Sequence, residues 1–249
     1  MSLIIEKLNG EYYQLDRYGI FEKERLVISS PDVEVYNESV EGLDGLVDFG
    51  AELRGREIKA SLLMLADNLV DMPKMRDEIF RIFDSRELFY LSEERDPAKR
   101  WSVRCVSPFD ISELATIGEF ELNLLSPSPF SSSTILAKFI SGKQSFVFRN
   151  TGTESIRMEA QNETEITFKG VSSGLTIKNL TTGDEWKYNG STTTNDEIML
   201  KGVRSLKNGQ SIFGQTNKRL ISFAPGQNEM KIEGATDFEI TIRTRFYFL

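Results

Sequence analysis

Histidine is absent from the 249 residues, which removes every Ser-His-Asp or Cys-His relay and every His-ligated metal site. The single cysteine, Cys105, allows neither a thiolate metal cluster nor an internal disulfide, which suits assembly in a reducing cytoplasm. Cys105 alternates with Trp101 and Val103, so the pattern predicts a buried, inert thiol on a strand face. Paired carboxylates remain as possible acid–base chemistry, at Glu93-Glu94 and Asp184-Glu185. Neighbours on a strand point to opposite faces, and in a turn both are solvated, so neither pair is expected to act as a hydrolytic dyad. Phosphate-binding loops are missing too. The one Gly-x-x-Gly, Gly42 to Gly45, sits among acids that would repel an anion. The expectation is a non-enzyme with no catalytic residue, cofactor or metal.

Two aromatic residues could do binding chemistry instead. Trp186 and Tyr188 alternate on one strand face, and such rings can stack on sugars. They form a candidate sugar platform, and with it the alternative function of a carbohydrate-binding adhesin. Against this stands the plainer reading that both rings fill a core.

The densest patterning lies between Ser30 and Leu53. Asp32, Glu34, Glu38, Glu41, Asp44, Asp48 and Glu52 occur there with no Lys or Arg. Val33 and Val35 on one arm, and Val47, Phe49, Ala51 and Leu53 on the other, alternate with polar residues. That period predicts two strands with one apolar and one acidic face, joined through Gly42-Leu43-Asp44-Gly45. A two-stranded ribbon is rarely stable alone, so the apolar face should lie against something.

Other elements can be placed around this hairpin. Asn9-Gly10 separates strands at Leu3–Leu8 and Tyr12–Leu15. Residues 20–28 and 58–65 also read as strands, the second apolar on both faces and hence central and doubly covered. One helix is expected, with Asp71 as N-cap, Pro73 in the first turn and a stripe of Met72, Met75, Ile79, Phe80 and Phe83. It should pack on a sheet. The stretch Ser-Pro-Ser-Pro-Phe-Ser-Ser-Ser over 126–133 reads as a junction between domains 1–130 and 131–249. Beyond it, short strands near 144–149, 163–169, 175–179, 185–188, 197–200, 220–223, 229–232 and 238–248 predict a β-sandwich. The fold class is therefore α+β or mainly β. It comprises a β-sandwich-like N-terminal domain with one packed helix and a protruding hairpin, then an all-β C-terminal sandwich of galectin-like or jelly-roll type.

Charge is distributed unevenly. Residues 1–130 carry 15 Lys and Arg against 26 Asp and Glu, a formal −11, whereas residues 131–249 carry +3. Such a balance disfavours gripping nucleic acid or anionic lipid. The opening Met-Ser-Leu-Ile-Ile-Glu has neither a basic nor a long apolar region, so no signal peptide is expected, and no apolar run is long enough to span a bilayer. The Asn-x-Ser/Thr sequons at Asn37, Asn162, Asn179 and Asn189 are then chance matches.

A set of spaced motifs resembles one family. Ser30-Pro31-x-Val33, Gly42-x-Asp44-Gly45 with Asp48 and Gly50, and Arg56-x-Ile58 are similar to the N-terminal region of distal tail proteins of long-tailed phages infecting Gram-positive hosts. The likeness continues through 76–83, Phe89-Tyr90-Leu91, Arg100-Trp101-x-Val103, Gly118-x-Phe120 and Pro129-Phe130. In the second half it rests on Phe148-x-Asn150-x-Gly152, Pro225-Gly226-x-Asn228 and Ile232-x-Gly234. The resemblance implies a structural virion protein at the tail tip, assembled in the host cytoplasm as a homohexameric ring. Its implied partners are other copies of itself, the tail tube protein, the tail-associated lysin or tail fibre, and receptor-binding or baseplate proteins. DNA would pass through without being bound, and no membrane is involved. On that reading Pro31, Val33, Val35, Val47, Phe49 and Leu53 are candidate interface positions, and Asp44, Asp48 and Glu52 a candidate acidic lumen. Polar outer positions of the C-terminal sandwich would dock the peripheral baseplate proteins.

Overall fold

Asn9 turns the chain back on itself, its Oδ1 accepting the Glu11 amide at 3.0 Å. Leu3–Lys7 thereby pairs with Tyr12–Gln14, the first of a run of antiparallel partners. The computed structural model describes residues 2–160 and 163–249, so Met1 and the sequon at Asn162 lie outside the described residues. Two compact units are present, Met1–Ser131 and Ser132–Leu249.

In the first unit the sheet order is Tyr12–Gln14, Leu3–Lys7, Phe89–Glu93, Asp96–Cys105, Ile117–Ser126, Arg56–Leu65 and Ile20–Glu22. Ser112–Leu114 and Val27–Ile28 add to it at the side of the Ile117–Ser126 and Arg56–Leu65 strands. One face buries Leu3, Ile5, Ile58, Leu62, Met64 and Phe120 beneath the helix Met72–Ile82. Phe83 meets Phe89, Phe109 and Phe120 edge-on, locking the helix end onto the sheet.

Several expectations need correction here. The Arg56–Leu65 strand is central but covered on one face only: Ile58, Ala60, Leu62 and Met64 are buried while Leu65 is exposed. The apolar run thus overstates coverage, because Glu57, Lys59 and Leu65 on its outer side stay exposed. Asp71 makes no side-chain cap. Asn68 instead closes the turn ahead of the helix, its Oδ1 accepting the Val70 and Asp71 amides at 2.9 and 3.1 Å. On the helix, Ile82 is buried and Phe80 lies exposed at the rim, packed edge-on against Phe109. The serines of 126–133 are not a solvated spacer. Ser126, Ser131 and Ser133 are buried, with Ser126 Oγ donating to the Ser128 carbonyl at 2.7 Å.

The second unit is built on two long strands, Glu165–Asn179 and Gly226–Thr244, paired antiparallel along most of their length. Register shifts at Gly170/Val171 and Ser172/Thr176 bend the pair without ending it. Gly234 sits in this bend at φ +73°, where a Cβ would lie 2.5 Å from the Gly174 carbonyl oxygen. Ala137–Ser141 joins one end of Gly226–Thr244 and Ser145–Asn150 the other. Ile166, Phe168, Ile177, Ile232, Ile240 and Ile242 from the two bent strands then meet in one core. The separate strands expected at 163–169 and 175–179 are therefore one strand across their glycines, and those at 229–232 and 238–248 are joined as far as Thr244, beyond which Tyr247–Phe248 is a separate short strand.

Candidate assembly surface

The arm follows from the register of its two strands, Val33–Glu38 and Val47–Leu53. Ladder bonds at its root run from Ser29 N to Glu57 O (3.1 Å) and from Arg54 N to Asp32 O (2.8 Å), so the ribbon grows out of the sheet edge at Val27–Ile28. Val33 faces Leu53 and Val35 faces Ala51, forming one apolar face. On the opposite face Glu34 is across from Glu52 and Tyr36 from Gly50.

The polar face is internally bonded. The Tyr36 hydroxyl donates to Glu34 Oε2 at 2.9 Å and lies 3.2 Å from Glu52 Oε2. Arg54 Nε donates to Glu34 Oε2 at 2.9 Å, with a second guanidinium contact to Oε1. Arg54 first, and Tyr36 second, hold the Glu34 carboxyl below its usual range. The hydrogen bond to Glu34 in turn pushes the Tyr36 phenol up to about 12.

Beyond Tyr36 the ladder changes. Asn37 is opposite Asp48 and Glu38 opposite Val47, so Phe49 has no partner and forms a β-bulge. Asp48 Oδ1 accepts the Gly50 amide at 2.9 Å, and Gly50 adopts φ +102°. One extra residue reverses the alternation. Val47 therefore joins the face of Glu34 and Glu52, while Asp48 moves to the face of Val33 and Val35. The expected single apolar face of Val33, Val35, Val47, Phe49 and Leu53 is interrupted for this reason. Asp44, Asp48 and Glu52 likewise form no stripe: Asp44 lies in the exposed turn, and Asp48 and Glu52 are on opposite faces.

None of the arm's apolar side chains is buried by the chain's own body. Val33 is 50 % exposed, Val35 55 %, Phe49 64 % and Leu53 41 %. Pro31, at the root, is half-buried beside a groove lined by Ser29, Arg54, Leu125 and Pro127. Exposed apolar side chains gathered on one ribbon make it a candidate interaction surface.

The other candidates are drawn into the structure. Trp186 and Tyr188 are 1 % and 4 % exposed, packed in the second core, and Trp186 Nε1 donates to Ser205 Oγ at 3.1 Å. Neither ring offers a face to a sugar, so the platform expected there is not formed. Asp184 is bonded to the Ser222 amide (2.9 Å) and the Thr182 hydroxyl (2.8 Å), while Glu185 pairs with Lys178. Glu93 pairs with Arg95, and Glu94 accepts the Ser2 amide. Cys105 lies half-buried, its thiol pushed up by burial. Among the described residues no group of three or more His, Cys, Asp or Glu is placed to hold a metal, and no helix is long and apolar enough to cross a membrane.

Motifs read separately in the sequence meet in space. Arg56 lies over the Trp101 ring at 5.0 Å, and Arg100 over Tyr90 at 3.5 Å while pairing with Glu6. In the second unit Asn150, Asn179 and Asn228 are buried. Asn179 Nδ2 donates to Asn228 Oδ1 (3.0 Å), and Asn228 exchanges bonds with Ala224 N and O (2.9 and 2.8 Å). These residues secure architecture rather than a reactive centre. Sequence reasoning passed over the bulge, whose signal was Asp48-x-Gly50 inside an alternating strand.

Residues 8–126 match the model of the phage tail protein RIFT-related domain, a match that takes in most of the first unit. This bears out the resemblance to phage tail proteins seen in the spaced motifs. The chain also shares its fold with SPP1 Dit, described as a paradigm of the hub adsorption apparatus in Gram-positive infecting phages. The TM-score is 0.74 at 15 % identity, over 98 % of this chain and 99 % of that one. Chains of the phage p2 baseplate in its activated conformation, with Sr or with Ca, give TM-scores of 0.47 and 0.45 at 11 % and 10 % identity. The Sr form covers 97 % of both chains; the Ca form covers 98 % of this chain and 97 % of that one. No curated protein sequence matches the chain.

Proposed function

We propose that the protein is a distal tail hub subunit of a long-tailed phage. Six copies form a ring that continues the tail tube above and carries baseplate, tail-fibre or receptor-binding proteins below. The observation that carries this reading is the arm: a ribbon with exposed Val33, Val35, Phe49 and Leu53 that its own chain leaves bare. Such a surface is stabilised by lying against a neighbouring copy. The phage tail domain over 8–126 and the fold shared with SPP1 Dit support the same role. The negative first half, −11 over residues 1–130, suits passage of DNA without adhesion, since cation-poor walls release no counterions from phosphate.

Light scattering on the purified 28.3 kDa chain, alone and with tail tube protein, tests the ring. A mass near six chains is expected in at least one of the two samples; a monomer in both overturns the reading. Charge reversal at Asp44 and Glu52 to Lys tests passage: rings should persist while DNA ejection slows. Asp48 is omitted there because its carboxylate also holds the arm backbone.

A further inference from the structure

The chain holds three Asn-Gly pairs, Asn9-Gly10, Asn189-Gly190 and Asn208-Gly209. Such a pair is open to an uncatalysed reaction, because glycine has no side chain to shield its own amide nitrogen. That nitrogen attacks the asparagine carboxamide carbon, a C–N bond forms, and ammonia leaves to give a cyclic imide. Water then opens the imide at either of its two carbonyls, yielding aspartate or isoaspartate. Ring closure needs a carboxamide free to turn and a backbone amide free to lose its proton. Hydrogen bonds to either group oppose it.

The fold treats the three pairs differently. At the first hairpin, Asn9 Oδ1 accepts the Glu11 amide at 3.0 Å, and the Gly10 amide donates to the Lys7 carbonyl at 3.0 Å. At the third pair, Asn208 Oδ1 accepts the Glu197 amide at 2.8 Å and Nδ2 donates to Asp196 Oδ1 at 2.7 Å. Asn189 is exposed, and among the described residues nothing bonds its carboxamide or accepts the Gly190 amide proton. The bonds made there use other atoms: the Asn189 amide donates to the Gln215 carbonyl at 2.9 Å, and the Gly190 carbonyl accepts the Gly174 amide at 3.1 Å. We propose that Asn189 is the site of spontaneous deamidation in this protein, and that hydrogen bonding selects it over Asn9 and Asn208. The isoaspartyl product inserts a methylene into the backbone between those two flanking bonds. Gly190 has no room to absorb it, since even a Cβ there would lie 2.3 Å from Cζ of the buried Tyr188 ring. Conversion therefore loosens the bond from the Gly174 amide.

The full-length chain, kept folded in mildly alkaline buffer and sampled over days, tests this by peptide mass mapping and isoaspartyl methyltransferase labelling. Asn189 should convert faster than Asn9 and Asn208 by roughly tenfold or more, the rate equivalent of the hydrogen bonds that must first break at those two sites. In concentrated urea, where those bonds are gone, the three should convert at similar rates. Asn189→Gln should remove the modification at that position and keep the parental unfolding midpoint. Equal conversion of the three pairs in the folded chain overturns the selection, as does the same ranking in urea. An Asn189 that stays intact in the folded chain while the unfolded chain converts overturns the site. The isoaspartyl fraction, separated from the unmodified chain, should exchange the Gly174 amide faster; unchanged exchange overturns the effect on the bend.

Discussion

The arm and the strand Asp184–Lys187 carry the same local pattern and meet opposite fates. Val33 and Val35 alternate with Glu34 and Tyr36, much as Trp186 and Tyr188 alternate with Glu185 and Lys187. Trp186 pairs with Ile177, which pairs on its other side with Ile232, and all three sink into one core. Among the described residues the arm has no third strand, and Val33, Val35 and Leu53 stay exposed to solvent. Alternation states that a strand has two unlike faces. Coverage depends on what the topology brings alongside, and only the covered face contributes to the stability of the isolated chain.

That contrast predicts mutational effects of very different size. Trp186→Ala should cost the second unit about 3–5 kcal/mol in chemical denaturation, the usual loss for a large buried ring. A cost under about 1 kcal/mol would mean the ring is not the core element described. Asn228→Ala should cost about 1–3 kcal/mol by stranding Asn179 and the Ala224 amide, with little effect if water replaces the lost carboxamide. Val35→Ser, on the arm, should stay within about 0.5 kcal/mol of the parent in unfolding while lowering the assembled fraction in light scattering. An arm variant that unfolds early would show that the ribbon is tied to the body after all. The smallest effect concerns Tyr36. Its phenol is raised from 10.0 to about 12 by the bond to Glu34, so the contribution of that bond is complete below pH 10 and lost as pH rises through 12. Ultraviolet titration should find a late tyrosine that disappears in Tyr36→Phe; an unchanged titration curve would exclude the network.

Much of the fold was legible because its signals are local. Met72, Met75, Ile79 and Phe83 recur at helical spacing, and the helix forms where they do. Ile82 was missed because Phe80 competed for the same stripe, and the sheet beneath decided between them. The strands expected at 163–169, 175–179, 229–232 and 238–248 stop short of Gly170, Gly174 and Gly234, yet these glycines bend strands of 15 and 19 residues that continue past them. A bend and a break share one composition, and only the partner strand distinguishes them. For the candidate surface, the arm's existence, extent and two-sidedness were visible from residue types. The face reversal at Phe49 was not, since a single unpaired residue depends on cross-strand register.

Taken alone, the sequence settled that no histidine relay exists, that strands with unlike faces dominate, and that carboxylates crowd the 30–53 ribbon. Those properties reside in residue type and short-range periodicity, which need no partner to be expressed. Tertiary structure alone decided that Trp186 is buried while Phe49 is bare, and that Asp48 and Glu52 point to opposite sides. Burial and facing are set by strands far away in the chain, and one inserted residue is enough to exchange the sides of everything beyond it.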